Sequence, residues 1–197
     1  MDFEALNSMR KETDRAAAVL GAAFLETALG ELFEVRCGAR ITADMLRANG
    51  VLGAFANRIR MSYALGWIAE DTHHDLHLVR KIRNEFAHLQ DHTLSFATPS
   101  IADTARELRV LQAIEAVVTE AAAGTSSDPT MIERLQRFKP ARVRYDFAIM
   151  LLSDAIDEAK SDPAVSAAGA RSAVAIARRG MTNVLGMRLG QDPPPAA

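Results

Sequence analysis

The chemistry of this chain concentrates in one segment, Leu76-His77-Leu78-Val79-Arg80-Lys81-Ile82-Arg83-Asn84-Glu85-Phe86-Ala87-His88. Leu76, Val79, Ile82 and Phe86 recur at spacings of three and four, which predicts an amphipathic helix. Into that helix the chain sets Arg83, Asn84 and a terminal His88. An arginine presents a fixed positive charge on a planar fork that fits phosphate. A histidine titrates near neutral pH and can move protons there. Phosphate handling and proton transfer are therefore the chemistry this segment can offer.

On the same helix His73, His77, Arg80, Asn84 and His88 step by four, three, four and four, along a side roughly opposite the apolar stripe. Three readings of this face compete. In the first it is a solvated face, with Asn84 and His88 capping the helix end. Arg83, beside Val79 and Phe86, then pairs with a core carboxylate, for which Glu26 is the candidate because it interrupts an apolar face of the first helix. In the second, Arg83, Asn84 and His88 are catalytic. In the third, His73 and His77 form half of a zinc site that needs further ligands such as His92 or Asp71, since no Glu-x-x-His pattern completes it. Asp14-Arg15 reads as ordinary first-turn charge.

The elements that must position this face are helices. A first helix is expected over Glu12 to Val35, with Val19 or Leu20, Phe24, Ala28, Leu32 and Val35 as its stripe, ended by Cys37-Gly38. A short turn follows Thr42. A helix over Ala54 to Ile68 carries Phe55, Ile59, Tyr63 and Trp67, and the acidic Glu70-Asp71 opens the motif helix. Ser100 and Asp103 suggest a capped start for a helix reaching Ala123. Thr130 and Glu133 repeat that pattern after the linker Gly124–Pro129, before a helix to Lys160. A last helix over Val165 to Leu189 carries Arg171, Arg178, Arg179 and Arg188. No run alternates with period two, so the fold class is all-α, a multihelical single domain with up-and-down packing. Residues 1–123 form the main helical domain, 124–160 further helices packed on it, and 161–197 an Ala/Arg-rich C-terminal helix with a disordered tail.

The chain has 197 residues and a net charge of −2, from 23 Lys and Arg against 25 Asp and Glu. That balance speaks against a nucleic-acid coat, and no helix-turn-helix or basic reading helix is evident, so direct DNA binding is not expected. Cys37 is the only cysteine, which leaves no internal disulfide and suits a reducing compartment. The longest apolar stretch, Ala16 to Leu25, falls short of a membrane span of about 20 residues. The opening Met1-Asp2-Phe3-Glu4 lacks a secretory layout, so a cytoplasmic protein without a membrane partner is expected. No cofactor is expected.

Arg83-Asn84-x-x-x-His88 resembles the ribonuclease motif of the HEPN superfamily, all-α domains that are usually dimeric. That resemblance implies metal-independent RNA cleavage at a dimer cleft, with His88 taking a proton from a ribose 2′-hydroxyl and Arg83 stabilising the phosphate. RNA is the ligand this reading brings. A longer stretch is similar to the mannitol operon repressor (MtlR) family, across about Glu12 to Glu120. Its carrying segments are Glu12-Thr13-Asp14-Arg15, Leu52-Gly53-Ala54-Phe55-Ala56-Asn57-Arg58-Ile59, Tyr63-Ala64-Leu65-Gly66-Trp67-Ile68, Glu70-Asp71 and Asp75 to His88. The region after Gly124 matches poorly. The resemblance implies a multihelical regulator of sugar-alcohol uptake. The expected assembly is a homodimer acting through a protein partner, with the ribonuclease as the alternative.

Overall fold

The first helix is lined on its inner side with small residues, and that sets the packing. In the computed structural model, which describes residues 8–9, 11–87, 93–124, 140–161 and 172–185, it runs Asp14–Cys37 (α1) behind a Thr13 cap and ends at Gly38, whose φ of 54° suits glycine. Ala17, Ala18, Gly21, Ala22 and Ala28 are buried along it with Leu25, Leu29, Leu32 and Phe33. A Cβ at Gly21 would meet Ile149 at 3.0 Å and Tyr145 at 3.2 Å, so the small residues let a second long helix lie close. The Tyr145 hydroxyl donates to the Ala18 carbonyl at 2.9 Å across that contact.

The stripe expected from hydrophobicity is partly overturned. Val19, Leu20 and Val35 are exposed at 38%, 51% and 58%. Residue size decided what faces inward, because α1 packs against three other helices and small side chains fit there best.

Seven more α-helices follow among the described residues: Ala43–Leu46 (α2), Phe55–Ala64 (α3), Glu70–Ala87 (α4), Pro99–Arg106 (α5), Arg109–Gly124 (α6), Ala141–Ser161 (α7) and Ala173–Leu185 (α8), with no strand. The fold is all-α and a single domain, as the periodicity predicts. Helix α3 stops four residues short of the expected Ile68, because Gly66 adopts a φ of 70°. The expected helix from Ser100 is two helices, broken at Glu107-Leu108, and it starts behind Thr98. The Ser100 hydroxyl is engaged with Glu85 at 2.9 Å, and Asp103 pairs with Arg106. The Thr130/Glu133 cap, Arg171 and Arg188 lie outside the described residues.

Helix α4 is the hub. It packs against α1, α3, α5, α6, α7 and α8. Its N-terminal turns also supply the caps of two other helices. Asp75 is fully buried, and its carboxylate accepts from the backbone N–H groups of Arg109 and Val110, both at 2.9 Å, at the start of α6. Thr72 Oγ1 accepts from Ala173 N–H at 2.9 Å, while Asp71 Oδ2 accepts from Val174 N–H at 3.1 Å and from the Ser172 hydroxyl, at the start of α8. Free N–H groups at a helix start need acceptors and favour negative charge. Here those acceptors come from a neighbouring helix.

A second knot gathers the chain's N-terminal side. Arg142 donates from Nε to both oxygens of Asp146 (3.0 and 3.2 Å), from Nη1 to Asp14 (3.0 Å) and from Nη2 to the Met9 carbonyl (2.7 Å). Asp14 also accepts from Phe96 N–H at 2.9 Å. Its charge is therefore not an ordinary first-turn charge but a tie between α1, α7 and the segment before α5. Asp14–Arg40 is long and apolar enough to cross a membrane by length and composition, and just over half of its most apolar stretch is buried inside the domain.

Replacing Asp75 with Ala strips two inward-facing N–H groups of their acceptors. Urea unfolding should show a loss of about 2–4 kcal/mol, the sum of a lost cap and unsatisfied buried donors. A change within about 0.5 kcal/mol, the range of an ordinary surface substitution, would contradict the capping role.

Candidate functional site

The outward side of α4 carries the residues singled out for chemistry. Because Thr72, Asp75, Leu76, Leu78, Val79, Ile82 and Phe86 are buried, the polar positions between them turn outward. His73, His77 and Arg80 are half-buried and Asn84 is exposed, as the spacing predicts. Helix α3 lies alongside, and Tyr63 stacks on His73 with ring centres 4.5 Å apart. His73 in turn meets His77 edge-to-face at 4.7 Å. Glu70, His73, His74, His77, Leu78, Arg80 and Lys81 line a cleft of about 440 Å³.

Both imidazoles on this face are held neutral. Burial is the main cause for His77, reinforced by His73, Arg80 and Arg60, and its pKa falls from 6.5 to about 4. His73 is lowered by burial first, then by His74 and Arg60. His74, also in the cleft lining, places Nδ1 2.9 Å from Asp75. Burial pushes the Asp75 carboxyl up, against the bonds from Val110, His74 and Arg109 that favour its charged form.

Arg83 points away from this cleft. Its guanidinium sits 4.0 Å from the Glu26 carboxylate, the partner expected from sequence, but both side chains are about 30% exposed. A half-solvated pair at that distance contributes less than about 1 kcal/mol, so it is not a costly buried bridge. His88 and His92 lie outside the described residues. The structure thus joins His73, His77 and Arg80 on one face, puts Arg83 with Glu26, and leaves Asn84 in solvent. Asp71 is committed to α8, away from the histidine pair. Among the described residues no group of three metal-binding side chains forms.

A family model described as mannitol repressor matches residues 41–156. The chain belongs to the mannitol repressor family. The match starts at the turn before α2 and runs through most of α7, so it contains the whole of α4. It extends well past Gly124, where the sequence resemblance ends, and leaves out the Glu12–Arg15 segment. Curated proteins and solved structures give no match to this chain.

Several residues that organise this family domain carry no catalytic signature and are missed by motif reading. Asp75 is the clearest, and its signal was present: it stands four residues before Val79 on the buried stripe, where an apolar residue belongs. Arg58 is similar. It donates to the carbonyls of Leu52 (2.7 Å), Glu26 (2.7 Å) and Leu46 (2.9 Å), fixing the loop between α2 and α3.

The depressed His77 pKa sets a pH dependence. An unfolded chain binds this proton near pH 6.5 and the folded chain only near 4, so stability from His77 is present above 6.5 and is lost as pH falls through 4. His73 acts in the same direction, and Asp75, with its raised pKa, in the opposite one. The melting temperature of His77→Gln should fall less steeply than wild type between pH 6.5 and 4. Parallel curves would show that His77 does not titrate low.

Proposed function

We propose that this protein is a repressor-like regulator of sugar-alcohol uptake that works in the cytoplasm by binding a protein partner, and does not itself read an operator. Family membership supports the regulatory role. The observation that carries the partner mechanism is an apolar groove of about 460 Å³ between the end of α1, α2 and α3, lined among others by Phe33, Met45, Val51, Met61 and Leu65. Val51 is 69% exposed, Met61 45% and Leu65 46%. A cluster of large apolar side chains in solvent marks a surface for association. Arg58 and the Asn57 amide, which donates to the Val51 carbonyl at 3.0 Å, hold the groove wall in place. An apolar helix laid into such a groove would bury these side chains together.

Electrostatics speak against operator reading. Several of the described arginines are tied to carboxylates: Arg47 to Asp44, Arg106 to Asp103, Arg109 to Glu70, Arg142 to Asp14 and Asp146, Arg144 to Glu115, and Arg179 to Glu158. Sequence-specific DNA binding draws much of its affinity from cations free to meet phosphates. For the ribonuclease alternative, Arg83 faces Glu26 and no described imidazole accompanies it.

Gel-shift titration of the purified protein on its own upstream DNA, at physiological salt with a scrambled control, tests this reading. No specific retardation is expected in the range of about 10⁻⁸ to 10⁻¹¹ M typical of operator binders. Specific retardation by the protein alone would restore direct repression.

A further inference from the structure

The cleft on α4 differs from the rest of the surface in its charge balance. No carboxylate among the described residues lies within ion-pair distance of Arg80 or Lys81, which line it, or of Arg60, which stands on α3 beside it. The Arg80 Nε is buried and has no hydrogen-bond acceptor. Such a donor costs free energy unless something fills its valence. The cleft's one carboxylate, Glu70, is drawn off by Arg109 at 3.1 Å. A comparison within the same molecule sharpens the point. The cavity bounded by Asp14, Phe96, Arg106, Arg142 and Arg144 is as large, at about 490 Å³, and the Arg144 Nε there also lacks an acceptor, yet every arginine lining it is matched by an acid.

We propose that this cleft binds a phosphate monoester, with Arg80 and Lys81 meeting the phosphoryl oxygens and the imidazoles of His73 and His77 donating to them. Two features favour this ligand. A monoester carries close to two negative charges at neutral pH, which matches uncompensated cations, and its oxygens suit the arginine fork. The volume is that of a small-molecule site and exceeds what a bare ion fills, leaving room for a compact organic group. Burial is the main cause of the lowered pKa of His73 and His77, and the smaller contributions of Arg60 to both and of Arg80 to His77 place these cations near the two imidazoles. A nucleic-acid backbone is disfavoured, because the cations form one cluster beside Glu70 and not a track.

Titration calorimetry with phenyl phosphate and with inorganic phosphate, at pH 7.5 and constant ionic strength in chloride, decides the matter. Phenyl phosphate should bind saturably and more tightly than inorganic phosphate. Arg80→Gln should weaken it roughly tenfold, the loss of one charge-assisted contact. Lys81→Gln, at an exposed position, should weaken it too, and it decides the question if Arg80→Gln melts early or unfolds. Absence of saturation, or equal binding by wild type and Lys81→Gln, overturns the site. So does a result in which a single-stranded RNA oligonucleotide binds through Arg80 and Lys81 while phenyl phosphate does not.

Discussion

The domain depends on carboxylates and a hydroxyl supplied by one helix to the starts of two others. Asp75 and the Asp71-Thr72 pair project from the first turns of α4 into the N-termini of α6 and α8, which lie 34 to 103 residues further along the chain. A buried helix start with empty N–H groups is costly, and a buried carboxylate without donors is costlier still. Each defect cancels the other only when the helices dock in one arrangement. The caps therefore specify where α6 and α8 sit relative to α4, which apolar packing alone leaves loosely defined.

That constraint divides α4 between structure and surface chemistry. Positions 72, 75, 76, 79, 82 and 86 are spent on the interior, so the intervening polar residues must face out. His73, His77 and Arg80 are presented there by a helix that packs against six others among the described residues. A preorganised cationic cleft follows from the packing, and so does its low imidazole basicity. Beyond α3 lies the apolar groove, whose wall is pinned by Arg58. In this mannitol repressor family protein the two surfaces share α3 and its C-cap as a common partition: Tyr63 faces the histidines, Met61 and Leu65 line the groove, and Arg60 lines the groove while acting electrostatically on His77. A ligand in the cleft and a partner in the groove would then bear on the same helix.

The helical class and the course of α4 were legible because apolar residues recur there at a strict helical period. The Glu26–Arg83 pair was also legible, as a charge on each of two apolar faces. The packing of α1 was not, because periodicity weighs hydrophobicity and is blind to volume. Val19 and Leu20 score higher than Ala18 and Gly21, but only the small residues admit Tyr145 and Ile149. The break before Arg109 was hidden for a different reason: its decisive residue is Asp75, and a cap donated from another helix leaves no local signature. Of the candidate site, the face holding His73, His77 and Arg80 could be read from spacing, whereas the half-solvated state of the Arg83–Glu26 pair needed the third dimension.

The central claim is that regulation passes through the groove. A reporter driven by the protein's own target promoter, in cells carrying Leu65→Glu or Val51→Glu, measures this most directly. Both side chains are exposed, so the variants should accumulate and melt like wild type while repression is lost. Full repression by both variants at normal protein levels would contradict the claim.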